Sequence, residues 1–221
     1  MKKTDELNQD IVAINTIDLE YEISKLNKTN KRARIKSETL KIALVSLLLS
    51  MSTAVSFINV IIPLFITSVN VGFALKYYII AISFQVVGIY WGMTLGLLDG
   101  LLQFLIWGLS PLFRLTSAIG LMIWVVLFWL LYEKVFRIYN IENKYGKAVA
   151  STFASMIIFI FAPFSSAILN YIWTYIEYGN GYGIIIFFNA WLSFMIFDLF
   201  AIILFTLTTS RIQKILSRLQ K

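Results

Sequence analysis

The stretch "GIYWGMTLGLLDGLLQFLIWG", residues 88–108, places two awkward residue types in one apolar run. Glycine recurs at 88, 92, 96 and 100, and again at 108, with a single carboxylate, Asp99, in the middle. In water, a glycine inside a helix costs about 0.5–1 kcal/mol relative to alanine. In lipid it has a use: without side chains, two helix backbones approach closely, which is how membrane helices associate when no hydrophobic drive separates them from their solvent. A spacing of four puts Gly88, Gly92, Gly96 and Gly100 on one stripe, which predicts a helix-packing seam. Asp99 lies one residue from that stripe. A carboxylate at membrane depth is costly unless paired or protonated, so Asp99 is expected to face the bundle interior or water.

The rest of the chain supports a membrane reading of this run. Of 221 residues, 59% are hydrophobic and only 14% charged, and the mean hydropathy is +0.78. A bilayer-crossing helix needs about 20 predominantly apolar residues. The apolar runs place spans near 39–60, 74–89, 91–109, 116–136, 148–173 and 184–210, with Pro63 following the first. The expected fold is all-α: a polytopic membrane protein with six transmembrane helices in a compact bundle. The lipid bilayer is its first partner.

Composition also excludes chemistry. The chain has no cysteine and no histidine. Disulfides, thiolate nucleophiles, imidazole bases and nearly every zinc or haem site are thereby removed. No metal site, cofactor or enzymatic activity is expected. The Asp99 and Asp198 pair invites comparison with intramembrane aspartyl proteases. The Gly-x-Gly-Asp and Tyr-Asp signatures of those enzymes are replaced here by Gly-Leu-Leu-Asp and Phe-Asp. The two aspartates are expected to share a proton or to use Ser, Thr or Asn partners.

Residues 1–36 read as a polar cytosolic arm, with a short amphipathic helix possible at 17–26. Its charges nearly balance, so no nucleic-acid partner is expected, and no cleavable signal peptide is read there. The membrane domain is expected over 37–212, with a basic amphipathic cytosolic C-terminus at 213–221. Positive charge sets the orientation. Nine Lys or Arg precede residue 42, four follow the fourth span (Lys134, Arg137, Lys144, Lys147) and four close the chain (Arg211, Lys214, Arg218, Lys221). Six spans put all of these on one side and leave only Lys76 and Arg114 on the other. The positive-inside rule then places both termini in the cytoplasm of a multi-pass cell-membrane protein. The outer connections become 61–73, 110–115 and 174–183. The first is apolar and suits a lid over a site, or a loop dipping into the interface. The first span carries a second small-residue face, Ala43, Ser46, Ser50 and Ala54, whose facing helix can belong to another protein.

Together these features resemble the substrate-binding subunits (S components) of energy-coupling factor (ECF) vitamin transporters. The span count, the first-helix face and the segment "ISFQVVGIYWGMTLGLLDGLLQFLIWG", residues 82–108, carry the resemblance, which covers roughly 39–212. The family's first helix commonly shows Ala-xxx-Ala; here Ser46 and Ser50 stand in its place, and both remain small. The resemblance implies a non-catalytic subunit that binds a vitamin-like small molecule near the outer face. It also implies a first outer loop that closes over the ligand, docking of the first helix on a transmembrane coupling subunit, and delivery driven by two ATPase subunits.

The resemblance also directs attention to the outer halves of the helices. The polar and aromatic residues there are Lys76, Gln103, Trp107, Arg114, Asn170, Trp173, Glu177 and Asn189. Lys76 and Arg114 suit a ligand carboxylate, and Trp107 and Trp173 suit a flat ring. Asp99, Gln103 and Trp107 share a helical face. Interfacial anchoring is the alternative reading for each of these residues. The segment "ILNYIWTYIEYG", 168–179, is similar to the fifth-helix end of folate-type S components, and "YGNGYG", 178–183, to a thiamine-type loop. Folate is favoured; riboflavin, thiamine and nicotinate stay open. Two other classes remain: a stand-alone small-solute permease, for which no inverted repeat is found, and a membrane scaffold protein.

Overall fold

Six helices follow the six apolar runs, and their ends are set by caps as much as by hydropathy. A computed structural model describes residues 35, 37–58, 60–63, 68–108, 110–141, 143–179 and 183–219. All belong to the unit that begins at residue 33. The arm expected at 1–36, with its helix at 17–26, lies outside the described residues apart from Ile35.

Helix α1 spans Glu38–Ser56 and starts at Ser37, whose hydroxyl accepts from the Leu40 amide. Two short antiparallel strands follow, β1 (Ile61–Pro63) and β2 (Ser68–Asn70), with Ile61 opposite Asn70 and Pro63 opposite Ser68. The apolar connection expected at 61–73 is thus partly a hairpin, and its tip, 64–67, lies outside the described residues. Helix α2 spans Val71–Val86, three residues earlier than expected from hydropathy, because the Asn70 side chain accepts from the Gly72 amide and caps it. This cap satisfies one of the orphan amides that every helix start exposes.

Helix α3 spans Ile89–Trp107, α4 spans Pro111–Trp129, α5 spans Lys144–Tyr178 and α6 spans Ile184–Leu219. Ser110 caps α4 and Pro111 occupies its first turn, so the connection before it is shorter than the expected 110–115. Arg114 is therefore helical, not a loop residue. A π-helical turn, Leu130–Val135, continues α4. The C-terminal residues expected as a separate surface segment continue α6 without a break to Leu219.

Five of these helices are long and apolar enough to cross a membrane; α2, with 16 residues, is the short one. At 1.5 Å per residue α2 covers about 24 Å, somewhat less than a hydrocarbon core of about 30 Å. Large apolar side chains face outward along the bundle, among them Leu47, Leu105 and Leu207, which are more than half exposed. Such a surface needs lipid as its solvent. The protein is an all-α, multi-pass membrane bundle.

The two ends of the bundle differ. Toward the end that carries the π turn, Phe205 packs against Phe128 at 4.3 Å, Tyr132 at 4.9 Å and Phe84 at 5.9 Å between ring centroids. This aromatic plug is buried in the core. Toward the hairpin end the charged side chains Lys76, Asp99 and Arg114 enter the core. The glycine stripe holds the two regimes together. A Cβ on Gly100 would stand 2.5 Å from the Cα and Cβ of Ala118 on α4, and one on Gly96 would stand 3.1 Å from the Leu121 carbonyl oxygen. Gly92 packs against Ser83, Phe84 and Val125. Gly88 does not belong to the seam: it precedes α3 with φ 98 and ψ 169, and a Cβ there would meet nothing. Its glycine is required by backbone conformation, since that region of φ/ψ space is essentially closed to other residues.

A buried ion pair and a cavity between four helices

Asp99, the carboxylate that the opening sequence left without a partner, is buried and fully engaged. Its Oδ2 lies 2.5 Å from Nζ of Lys76 on α2, and both side chains are 2% exposed or less. Ser52 of α1 donates its hydroxyl to Oδ1. Gln103, one turn along α3, donates Nε2 to Oδ2 at 3.2 Å. Three helices therefore converge on one carboxylate. Lys76 was expected as a free outer-side cation. It is instead the counter-ion of Asp99, because two opposite charges buried at membrane depth stabilise one another far more than either is stabilised alone. Of the two alternatives expected for Asp99, a proton shared with Asp198 or a Ser, Thr or Asn partner, the structure supplies the second in Ser52, beside Lys76 and Gln103.

The chain of contacts runs on to α4. Arg114 donates Nη1 to Oε1 of Gln103 at 2.8 Å. Gln103 is thereby oriented as a relay, with its amide nitrogen toward the acid and its oxygen toward the guanidinium. Arg114 is only 7% exposed, its guanidinium lies 5.3 Å from the Phe113 ring, and its Nε has no hydrogen-bond partner. A buried guanidinium with an unused donor is a place where an acceptor is missing.

Arg114 lines a cavity of about 300 Å³ between α2, α3, α4 and α5, with α6 contributing Phe194. Lys76, Gln103 and Arg114 form its charged and amide wall. Ser117 of α4 and Ser166 and Asn170 of α5 add polar groups on other sides. Phe73, Tyr77, Phe113 and Phe194 supply flat apolar surfaces. A volume near 300 Å³ with a few convergent polar groups in an aromatic shell is what small-molecule sites look like.

Of the eight polar and aromatic residues expected in the outer halves, the structure brings four to this cavity: Lys76, Gln103, Arg114 and Asn170. Trp173 is one layer out. It packs on Phe113, ring centroids 4.8 Å apart, and donates Nε1 to Glu177. Ser110 also donates to Glu177, at 2.8 Å, so Trp173 and Glu177 tie the start of α4 to the end of α5 at the rim. Trp107 does not line the cavity. It is half exposed at the end of α3, beside Phe57, in the position of an interfacial anchor. Asn189 is exposed on α6 and its carbonyl accepts from Ser193. The residues that sequence reasoning missed are Ser52, the aromatic walls and the Lys76–Asp99 pairing. One signal was available for the pairing: a lysine and an aspartate both inside apolar spans are natural counter-ions.

On α1, Ala43, Ser46, Ser50 and Ala54 are exposed, and Ser50 bonds back to the Ser46 carbonyl at 2.8 Å. The other side of the helix, with Val45, Leu48, Ser52 and Ser56, is buried against the bundle. The chain matches no family model and no curated protein.

Proposed function

We propose that this protein is the substrate-binding membrane subunit of an ECF-type importer, holding an anionic, flat small molecule in the cavity beside Arg114. The observation that carries this reading is a buried arginine with an unused Nε among the residues that line a cavity with aromatic walls. Lys76 is already neutralised by Asp99, so the net positive charge at the cavity wall is that of Arg114. An incoming carboxylate would complete it. Folate, with its glutamate carboxylates and pteridine ring, fits these demands and remains the favoured vitamin. In this reading both termini are cytoplasmic, the hairpin lies at the outer face of the cell membrane, and α1 presents its small-residue side to a coupling subunit served by two ATPases. Two features support it: the cavity lies toward the hairpin end, and the first helix has one free face. The aromatic plug at the opposite end argues against a through-channel and so against a stand-alone permease.

Calorimetry on the purified protein tests the site. Loss of a hydrogen bond to a charged group costs about 1.5–3 kcal/mol, so Arg114→Ala should weaken folate binding about 10- to 150-fold. Unchanged affinity in that variant would remove Arg114 from the site. Absence of folate binding in the parent protein would move the choice to nicotinate, the other anionic candidate, tested in the same way.

A further inference from the structure

A second buried polar atom is left without a partner. Asp198, in the middle of α6, is 3% exposed, and its Oδ2 accepts no hydrogen bond. It borders an otherwise apolar cavity of about 180 Å³, lined by Phe73, Ala74, Tyr77, Phe194 and Phe197. Three of those residues, Phe73, Tyr77 and Phe194, also line the larger cavity beside Arg114. The two spaces thus adjoin across one aromatic wall. The reason is helical: Phe194 and Asp198 are one turn apart on α6, and Phe73 and Tyr77 one turn apart on α2, so each pair lies on one face.

The two orphaned atoms are complementary in kind. At one end stands a guanidinium donor with no acceptor. At the other stands a buried carboxyl group whose Oδ2 has no partner. Each is costly alone in a low-dielectric interior. We propose that Asp198 is the second polar end of the ligand site and that the ligand is amphoteric. Its anionic group meets Arg114. One or more N–H donors, on a protonated amine or an amino-substituted heterocycle, meet Asp198. A flat ring spans the aromatic wall between them. This rests on the binding site of the proposed function and adds the charge pattern of its ligand.

The test uses the full chain in lipid nanodiscs and three probes read by calorimetry. Folate carries an aminopteridine N–H face and carboxylates. N-Benzoylglutamate keeps the carboxylates and has neither the pteridine nor an arylamine donor. Nicotinate is a heteroaromatic carboxylate with no comparable N–H face. Asp198→Asn should weaken folate about 10-fold or more, the effect of losing a charge-assisted hydrogen bond, and leave the other two unchanged. Arg114→Ala should weaken all three. Asp198→Ser is a second variant that removes the carboxylate with less bulk; both should remain monodisperse, since no protein hydrogen bond to Oδ2 is lost. Probes that bind and need Arg114, with folate affinity unmoved by either Asp198 variant, would overturn the amphoteric ligand while leaving the anion site intact. Binding of none of the three would overturn both.

Discussion

At the scale of single residues, the Lys76–Asp99 pair decides how the cavity end is built. Both groups are almost fully buried, and Asp99 also accepts from Ser52 and Gln103. Removing one partner from such a pair strands a charge and costs about 3–5 kcal/mol, whereas replacing both by apolar residues is often close to neutral. Lys76→Met should therefore unfold well before the parent in detergent, and Lys76→Met with Asp99→Leu should recover most of the loss. Equal stability of Lys76→Met and the parent would mean that the pair is not structural. Only half of this was legible in the sequence. The cost of a carboxylate in lipid shows that Asp99 must be satisfied. Which group satisfies it depends on the rotation of α2 against α3, and one-dimensional spacing carries no information on that. Arg114 was legible as a cation apart from the main basic clusters, but its unused donor is visible only when its neighbours are in place.

Among the helices, the spans were legible because about 20 apolar residues have no cheaper alternative in a bilayer. Their ends were less so. Asn70 and Ser110 start α2 and α4 earlier than hydropathy suggests, because a cap acts on amides and is indifferent to the apolar run behind it. The glycine stripe divides in the same way. Periodicity four identified Gly92, Gly96 and Gly100 as packing residues, but spacing alone counted Gly88 among them, although its role is a positive φ. The sign of a Gly→Ala change tests the distinction. Gly100→Ala puts a methyl 2.5 Å from Ala118 and forces α3 from α4. Overpacking of this kind costs about 1–3 kcal/mol. At Gly120 the new methyl would meet only Leu169, at an ordinary 3.5 Å. There the usual helix gain of about 0.5–1 kcal/mol should prevail. Thermal unfolding in one detergent should lower the first variant and leave the second level or raised; a Gly100→Ala protein as stable as the parent would show that the helices separate without cost.

For the whole molecule, the question is where a partner can bind without disturbing the ligand site. Helix α1 packs on α2 and α3 and leaves its remaining surface outward. Its two sides do different work. Ser52 reaches inward to Asp99, while Ala43, Ser46, Ser50 and Ala54 face out, with none of them bordering the cavity. A membrane helix that exposes small residues in a stripe permits close backbone approach by another helix. In the proposed importer that helix belongs to the coupling subunit. Bulk on the stripe should then block assembly from outside while the Ser52–Asp99 link and the cavity stay intact. Ser50→Trp is the sharpest case, because Ser50 is exposed and its hydroxyl donates to the Ser46 carbonyl of its own helix. The variant should bind folate with the parent's affinity and fail to co-purify with a coupling subunit and its two ATPases. Co-purification and transport at the parent's level would place the docking surface on another helix. Loss of folate binding together with loss of assembly would mean that α1 cannot be treated as having two independent sides, and that bulk at Ser50 reaches the ion pair through Ser52.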